Sequence, residues 1–480
     1  MVIIIRSSLS QNEEIFFMSI NELKGKRITV MGLGLHGGGV GTVRFLCEQG
    51  AIVIATDMKS KEELRDSVEK LKSYKNITYI FNQHRPEDFT NVDMVVKNPA
   101  VSWDNKYIKL AIEKKIPVEM DSSLFFKLCS NEIIGVTGTK GKTTTATLIY
   151  EILKSAGKSV IKVGIGQTSV LDKLKDLKKD TIVIFELSSW RLSVLGRAKL
   201  SPHVAVVTNI YPDHLNYYKS MKEYIADKKY ICSNQKSADA CVLNANDSVL
   251  SDWDEEIKSE VIRFSREKIG YSPSVYVDNG GIYINMGVEE KKVMDLDEIK
   301  LRGDHNISNI LAAVSATRAM GLKISEIKKG VGNFKGIEHR LELVRELNEI
   351  KYYNDTAATT PDSAIAGLKS FSEPLVWIGG GSDKNLDMKD LARVALEKVK
   401  DAILLKGIGT DKLLEAMEKN NLGKHNFTVV DSMEAAVNLA RAKAESGDVI
   451  LLSPGAASFG LFINEFDRGN KFKEAVKNLR

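Results

Sequence analysis

Short apolar runs alternate with helix-periodic stretches along almost the whole chain. Arg27-Ile28-Thr29-Val30-Met31 runs into a glycine-rich turn at Gly32 and is followed by a helical stretch from Val40 to Gln49. Apolar runs recur at Ala51 to Ala55, which ends in Thr56-Asp57, around Ile77 to Ile80, and at Val92 to Val96. Runs of this length, closed by turn residues, are the pattern of fully buried strands. Strands that alternate with helices predict a parallel, doubly wound sheet. A second unit opens at Glu132-Ile133-Ile134-Gly135-Val136-Thr137, enters another glycine-rich loop and continues as a helix from Thr143 to Ser155. Strands are expected at Thr181 to Phe185 and Val204 to Thr208, and a helix from Met221 to Ile231. The last third repeats the alternation, with strands at Ile350 to Tyr353, Pro374 to Ile378, Ala402 to Leu405 and Val449 to Leu452 and helical periodicity over Asp390 to Val399. The expectation is an α/β protein of three domains, 18–127, 128–336 and 337–480, the last a third parallel unit.

Length and composition agree with that division. A chain of 480 residues exceeds one core and fits about three domains. Hydrophobic residues make up 43% and charged residues 27%, the balance of a well-cored globular protein and not of a disordered one. The net charge of +5 comes from 68 basic and 63 acidic residues that are interspersed, so no basic tract marks a nucleic-acid surface. Cys47, Cys129, Cys232 and Cys241 stand far apart without a C-x-x-C pair, which argues against a zinc site or a disulfide framework and fits a reducing cytoplasm. The opening run Val2-Ile3-Ile4-Ile5-Arg6 is shorter than a signal-peptide core, and no stretch reaches the length of a membrane span. The first ordered element is expected near Met18 to Lys26, with Met18 an alternative start. A cytoplasmic monomer, without nucleic acid and without membrane insertion, is the expectation.

Two loops carry chemistry. Gly138, Thr139, Lys140, Gly141, Lys142, Thr143 and Thr144 sit between a strand and a helix, where backbone amides and the helix N-terminus can cradle phosphates. Lys142 would reach the β and γ phosphates and Thr143 would hold magnesium. The loop departs from the literal Walker pattern, since Val136 stands where its first glycine belongs and Gly135 falls one place early. A lysine-bearing structural turn is the alternative, and the strand-to-helix setting favours nucleotide. The earlier loop, Gly32-Leu33-Gly34-Leu35-His36-Gly37-Gly38-Gly39, has the look of a dinucleotide fingerprint, with Asp57 where a ribose-binding acid would sit. It suits a nicotinamide cofactor, another phosphate-bearing ligand such as a uridine diphosphate, or a turn without ligand. Glu186 and His214 each follow an apolar strand and fall at the ligand-binding edge of one sheet, where with a hydroxyl they could complete a magnesium shell.

The ordered series Thr137 to Thr143, Glu186-Leu187-Ser188-Ser189, Asn209 through Asp213-His214, Gly303-Asp304-His305-Asn306 with Asn309, His339-Arg340 and Asn354-Asp355 resembles the Mur ligase family from about Lys26 to the end. The resemblance implies a Rossmann-like first domain that binds a UDP-linked substrate, a central phosphate-loop ATPase domain, and a Rossmann-like last domain that binds an amino acid and closes over the nucleotide. It implies ATP-dependent amide-bond formation through an acyl phosphate. Lys142, Glu186, His214 and Lys228 would be catalytic, and Thr143, Glu186, His214 and a carbamylated Lys228 would serve two magnesium ions. Tyr224, four residues before Lys228, favours this lysine over Lys229. Asn306 and Asn309 would contact adenine, or simply belong to a capped helix start beside Asp304. Arg340 would meet the nucleotide phosphates and Asp355 the ribose or the domain linker. Gly32, Leu33, Gly34, His36 and Gly37 would take the UDP-substrate.

Within the family, Asn354 to Thr359 and Leu452 to Phe459 resemble the members that join D-glutamate to UDP-N-acetylmuramoyl-L-alanine in peptidoglycan precursor synthesis, the pathway behind cell shape and division. That likeness assigns Thr359, Lys384, Ser458 and Phe459 to the incoming glutamate, a surface lysine being the alternative for Lys384. Three positions depart from it. Ala357 replaces a common lysine, Glu465 replaces a common aromatic residue with Phe466 next to it, and Gly164-Ile165-Gly166-Gln167 stands for the usual Gly-Asn-Ile-Gly loop. A Mur-type ligase with another acceptor such as L-glutamate, a folylpolyglutamate synthetase, a nicotinamide oxidoreductase and a non-catalytic nucleotide-binding regulator are the alternatives.

Overall fold

A computed structural model describes residues 18–34, 37–166, 169–214, 217–287, 289–419 and 427–480. Three sheets follow one another along the chain. The first contains β1 (Arg27–Met31), β2 (Ile52–Thr56), β3 (Ile77–Ile80), β4 (Met94–Lys97) and β5 (Val118–Glu119), all parallel, in the order β3-β2-β1-β4-β5. The order reverses between β1 and β4, and the carboxyl ends of strands at such a switch point form a ligand crevice. The loop after β1 leads into the helix Gly38–Glu48, which begins two residues earlier than its apolar periodicity suggests.

The second sheet joins β6 (Ile133–Thr137), β7 (Val160–Val163), β8 (Ile182–Glu186), β9 (Val204–Val207), β10 (Ala240–Asn244), β11 (Glu260–Ser265), β12 (Ser274–Asp278), β13 (Gly281–Asn285) and β14 (Glu290–Asp295). Its order is β14-β13-β12-β11-β10-β9-β6-β8-β7, parallel from β7 through β12 and antiparallel over the last two pairings. The β12–β13 hairpin turns on Asn279 and Gly280, both with positive φ (43° and 71°), the chemistry a two-residue hairpin turn requires. Asn279-Gly280 is the one sequence signal of this antiparallel hairpin, which apolar periodicity does not mark.

The third sheet is made by β15 (Glu342–Leu347), β16 (Ile350–Asn354), β17 (Leu375–Gly380), β18 (Val399–Leu405), β19 (Phe427–Val430) and β20 (Val449–Leu452), ordered β15-β16-β20-β17-β18-β19. It is mixed and not purely parallel, because β15 folds back antiparallel on β16 through Asn348 and Glu349, both with positive φ. Insertion of β20 between β16 and β17 brings the chain's late loop between two earlier ones.

Two compact units emerge: one contains the first two sheets together with 308–332, the other 297–307 together with 333–480. In the first, a single apolar cluster runs from Leu23 and Phe45 through Phe125 to Phe185 and Leu243, so its two sheets share one core. In the second, Trp377 and Leu404 pack on one side of the sheet and Ile378, Ile403 and Phe472 on the other. Among the described residues no helix is long and apolar enough to cross a membrane.

Candidate active site

The loop between β6 and the helix Lys142–Ser155 is built for close approach. Gly138 (φ 141°) and Gly141 (φ 83°) adopt backbone conformations that side chains disfavour. A Cβ at Gly138 would collide with Thr208 Oγ1, and one at Gly141 would fall 2.2 Å from Asn309 Oδ1. The loop is clamped from the end of β9: Asn209 Oδ1 accepts from the Lys140 amide at 2.8 Å, and Thr208 Oγ1 donates to the Lys140 carbonyl at 2.6 Å. Lys142 Nζ folds back over the loop and donates to the Gly138 and Thr139 carbonyls, each at 3.0 Å. A cation is thus held over the loop at a helix N-terminus, a setting that suits phosphates.

The ends of β8 and β9 and the helix Met221–Lys229 meet beside this loop. Thr143 Oγ1 donates to Glu186 Oε2 at 2.8 Å, placing a hydroxyl and a carboxylate side by side. Lys228, on the helix Met221–Lys229, is 2% exposed, donates to the Gly138 carbonyl at 2.8 Å and lies 4.8 Å from the centre of the Tyr224 ring. Burial, and then the nearby Lys142 charge, hold the Lys228 ammonium pKa well below its usual value, against the pull of Asp213, Asp227 and Glu186. His214 has φ 55° and packs its ring 5.0 Å from Trp190. Burial lowers its pKa too; Asp213 opposes this, and Lys228, Lys142 and Lys140 reinforce it. The shift favours the neutral imidazole, the form that can accept a hydrogen bond.

Among the described residues no three His, Cys, Asp or Glu side chains converge as a ready-made metal centre. The donors present still suit magnesium, which takes few protein oxygens and keeps phosphate and water ligands. Thr143 and Glu186 supply two such oxygens, and a carbamate on Lys228 would add another.

In the first sheet, Gly32 (φ 95°) and Gly34 (φ 66°) leave the end of β1, and Gly37 (φ 87°) precedes the helix Gly38–Glu48. Leu33 between them is buried, whereas His36 lies outside the described residues. Asp57 accepts the Gly34 amide at 3.0 Å and the Lys59 amide at 3.0 Å, so its carboxylate braces the glycine loop.

In the second compact unit, the loops after β16, β17 and β20 are tied together. Ser382 and Ala457 exchange backbone bonds at 2.9 and 3.0 Å, Gly380 N bonds to the Pro454 carbonyl at 2.8 Å, and Gly455 N to the Ala358 carbonyl at 2.8 Å. Lys384 Nζ donates to Thr359 Oγ1 at 3.0 Å, and on the loop after β20 Ser458 is buried and Phe459 65% exposed. Asp355 is buried, accepting from Ser453 Oγ at 2.8 Å and from the Leu341 amide at 3.2 Å, and burial pushes its pKa up to about 7. The exposed Arg340 is close enough to draw that value down.

The comparisons with known proteins cover all three sheets. Residues 26–119 match the N-terminal domain of MurD-like Mur ligases, 136–317 the Mur ligase middle domain, and 339–455 the Mur ligase glutamate ligase domain. The chain belongs to the Mur ligase family. Mur ligases form amide bonds at the expense of ATP and use magnesium, and this chain is such an enzyme. Its relatives include the UDP-N-acetylmuramoylalanine–D-glutamate ligase of Roseiflexus sp. (strain RS-1), 40% identical over 95% of this chain and 100% of that one. The ligase of the same name from Clostridioides difficile (strain 630) is 36% identical over 96% and 100%. Among solved structures, MurF from Acinetobacter baumannii (TM-score 0.58, 16% identity, 90% and 91% covered) and UDP-N-acetylmuramate-alanine ligase MurC from Thermotoga maritima (0.57, 19%, 94% and 99%) share the fold.

For this Mur ligase, the geometry gathers Lys142, Thr143, Glu186, His214 and Lys228 around one loop, and Asn309 meets that loop at Gly141. Thr359 and Lys384 are in direct contact, while Asn306 bonds through its side chain to the Arg302 carbonyl at 2.6 Å. Of the three departures, Ala357 bonds to the His339 carbonyl at 3.1 Å, and Phe466 sets its ring 5.6 Å from His339. Gly164 and Gly166 both take positive φ, and Gln167 lies outside the described residues.

Several contributors carry no sequence signal. Arg468 is fully buried, bonding to Thr356 Oγ1 (2.9 Å), the Thr356 carbonyl (3.0 Å) and the Ala456 carbonyl (3.1 Å), with its pKa drawn down to about 10 by burial. It fastens the stretch before Thr359 to the stretch before Ser458. Trp190 is a second, its ring laid against His214. Tyr224, noted only for its spacing, bonds to Thr139 Oγ1 at 3.0 Å.

Proposed function

We propose that this Mur ligase joins D-glutamate to UDP-N-acetylmuramoyl-L-alanine in the synthesis of peptidoglycan precursors. Similarity to D-glutamate ligases at 36–40% identity over their whole length carries the reading. The glycine loop after β1 takes the UDP moiety, through Gly32, Leu33, Gly34 and Gly37 with His36, and the 138–144 loop takes ATP. Asn306 and Asn309 face adenine, Arg340 the phosphates and Asp355 the ribose. Lys384, Thr359, Ser458 and Phe459 receive glutamate; a lysine offers a compact charge to its carboxylate, and the hydroxyls accept or donate around it.

The substrate carboxylate attacks the γ-phosphorus, the bond to the β-phosphate oxygen breaks, and ADP leaves an acyl phosphate. The glutamate amine, having lost its proton, attacks the acyl carbon, and the amide forms as phosphate departs. Lys142 holds the transferring phosphoryl oxygens, and magnesium, when bound to Thr143 and Glu186, supplies further charge neutralisation there. Burial depresses the Lys228 ammonium and so favours the neutral amine, the form that adds carbon dioxide; one proton would leave, and the anionic carbamate would offer magnesium a further oxygen. Neutral His214 orients that group.

Phosphate release measured with ATP, magnesium and UDP-N-acetylmuramoyl-L-alanine tests the reading. Release that depends on D-glutamate and is absent with L-glutamate supports it. Equal or faster turnover with L-glutamate or another amino acid overturns the acceptor assignment.

A further inference from the structure

The loop that follows β4 runs from the first glycine-rich loop to the helix Ser189–Arg197, which carries Trp190 beside His214. At its first residue, the Asn98 amide bonds to the Met31 carbonyl at 2.9 Å, and Asn98 Cβ lies so near Gly32 that a Cβ there would stand 2.9 Å away. Asn98 Oδ1 accepts the Ala100 amide at 3.1 Å, and the Asn98 carbonyl accepts the Val101 amide at 2.9 Å. Lys97, 1% exposed, ties the turn shut by donating to the Val101 carbonyl at 2.8 Å.

The far side of this turn reaches the other loop's surroundings. Trp103 Nε1 donates to Ser193 Oγ at 2.8 Å, and that hydroxyl donates in turn to the Trp190 carbonyl at 2.7 Å. Trp190 is the residue whose ring lies 5.0 Å from His214. Two cations stack on the same indole, Lys97 Nζ at 4.5 Å from the Trp103 centroid and Arg197 at 4.2 Å. Ser193 and Arg197 belong to the helix Ser189–Arg197, which springs from the end of β8 that carries Glu186. The Asp104–Lys219 pair at 2.8 Å adds a link to the segment before Lys228's helix, but both partners are more than half exposed and contribute little.

We infer that Trp103 is a positioning residue that couples occupancy of the first glycine loop to the geometry around His214 and the phosphate loop. The inference rests on the assignment of the UDP-substrate to the first loop and of ATP to the second. A ligand that presses on Gly32 and Gly34 shifts Asn98, the shift passes along a turn closed by Lys97, and the Trp103–Ser193–Trp190 bonds deliver it to the imidazole. A coupling of this kind is a reciprocal change in affinity, not a loss of either site.

The test uses the full chain with magnesium and a nonhydrolysable ATP analogue, whose dissociation constant is measured by calorimetry with and without saturating UDP-N-acetylmuramoyl-L-alanine. In the unaltered protein the UDP-substrate is expected to tighten the analogue about fivefold or more. Trp103→Phe keeps a ring for the two cations and loses the N–H; Ser193→Ala keeps the indole and removes its acceptor. Each is expected to bring the coupling below about twofold, with each ligand's affinity alone held within about twofold of the original. Coupling retained in both variants overturns the inference, as does its absence from the unaltered protein when both ligands bind. A fall in either ligand's own affinity as large as the lost coupling overturns it too, since that is the mark of a structural lesion. Failure of the unaltered protein to bind the UDP-substrate or the analogue at all sinks the functional assignment instead.

Discussion

Replacing Asp355 by asparagine changes how stability depends on pH by an amount the structure sets. The Asp355 carboxyl is 8% exposed, and Gly367 packs so closely that a Cβ there would stand 2.8 Å from Oδ2. Burial raises its pKa from 3.8 to about 7, only partly offset by the Ser453 and Leu341 bonds and the Arg340 charge. The rise of about three units corresponds to about 4 kcal/mol at about 1.36 kcal/mol per unit. Since the folded value is the higher one, the native state binds the extra proton. This contribution is complete below the unfolded value and disappears as pH rises through about 7. Asparagine keeps the shape and cannot ionise. The stability of the original protein relative to Asp355→Asn is therefore expected to fall by about 3 kcal/mol between pH 5 and pH 8, most of it below pH 7. The assay is urea unfolding without ligands at pH 5, 6, 7 and 8, followed by a hydrogen-exchange pulse at one fixed pH that reads the β17 and β20 peptides. Parallel curves for the two proteins across this range would mean that the carboxyl titrates alike in both states and is not held protonated by burial.

Two further outcomes follow from the phosphate loop and its lysine neighbour. Gly141→Ala puts a Cβ at φ 83° and 2.2 Å from Asn309 Oδ1; a stability loss of about 1–3 kcal/mol and a rise of about tenfold or more in the KM for ATP are expected. An unchanged KM and melting temperature would count against the tight loop. Lys228→Ala is expected to lose about two orders of magnitude or more in kcat, with partial recovery on adding short carboxylic acids that replace the carbamate oxygen. Undiminished activity would sink the carbamate assignment.

The parts of the site legible in the sequence are those built from adjacent residues. The run from Gly138 to Thr144 needs only a strand before it and a helix after it, and both announce themselves by apolar pattern. Glu186 and His214 fall at one edge because the carboxyl ends of parallel strands all lie on the same side of the sheet. The edge strands β14 and β15 escape notice because their mixed burial lacks the continuous apolar run of a buried parallel strand; β10 to β13 go unread as well, although β10 is fully buried and Asn279-Gly280 marks a hairpin. Helix ends shifted by one or two residues for a similar reason: Lys142 and Gly38 begin helices through backbone geometry that apolar periodicity does not record.

Taken alone, the sequence determined the three α/β units, the two glycine loops and the order of the residues that match the Mur ligase family. Each of these is local, or a list whose members need not touch. Which side chains lose water together depends on how the chain folds in three dimensions. Lys228 becomes a depressed amine because packing removes solvent and sets it near Lys142, and Asp355 becomes a weak acid for the same reason. Trp103 meets Ser193 across 90 residues, and Arg468 meets Thr356 across 112. Desolvation and long-range hydrogen bonds arise from the fold of the whole chain, and no spacing along it encodes them.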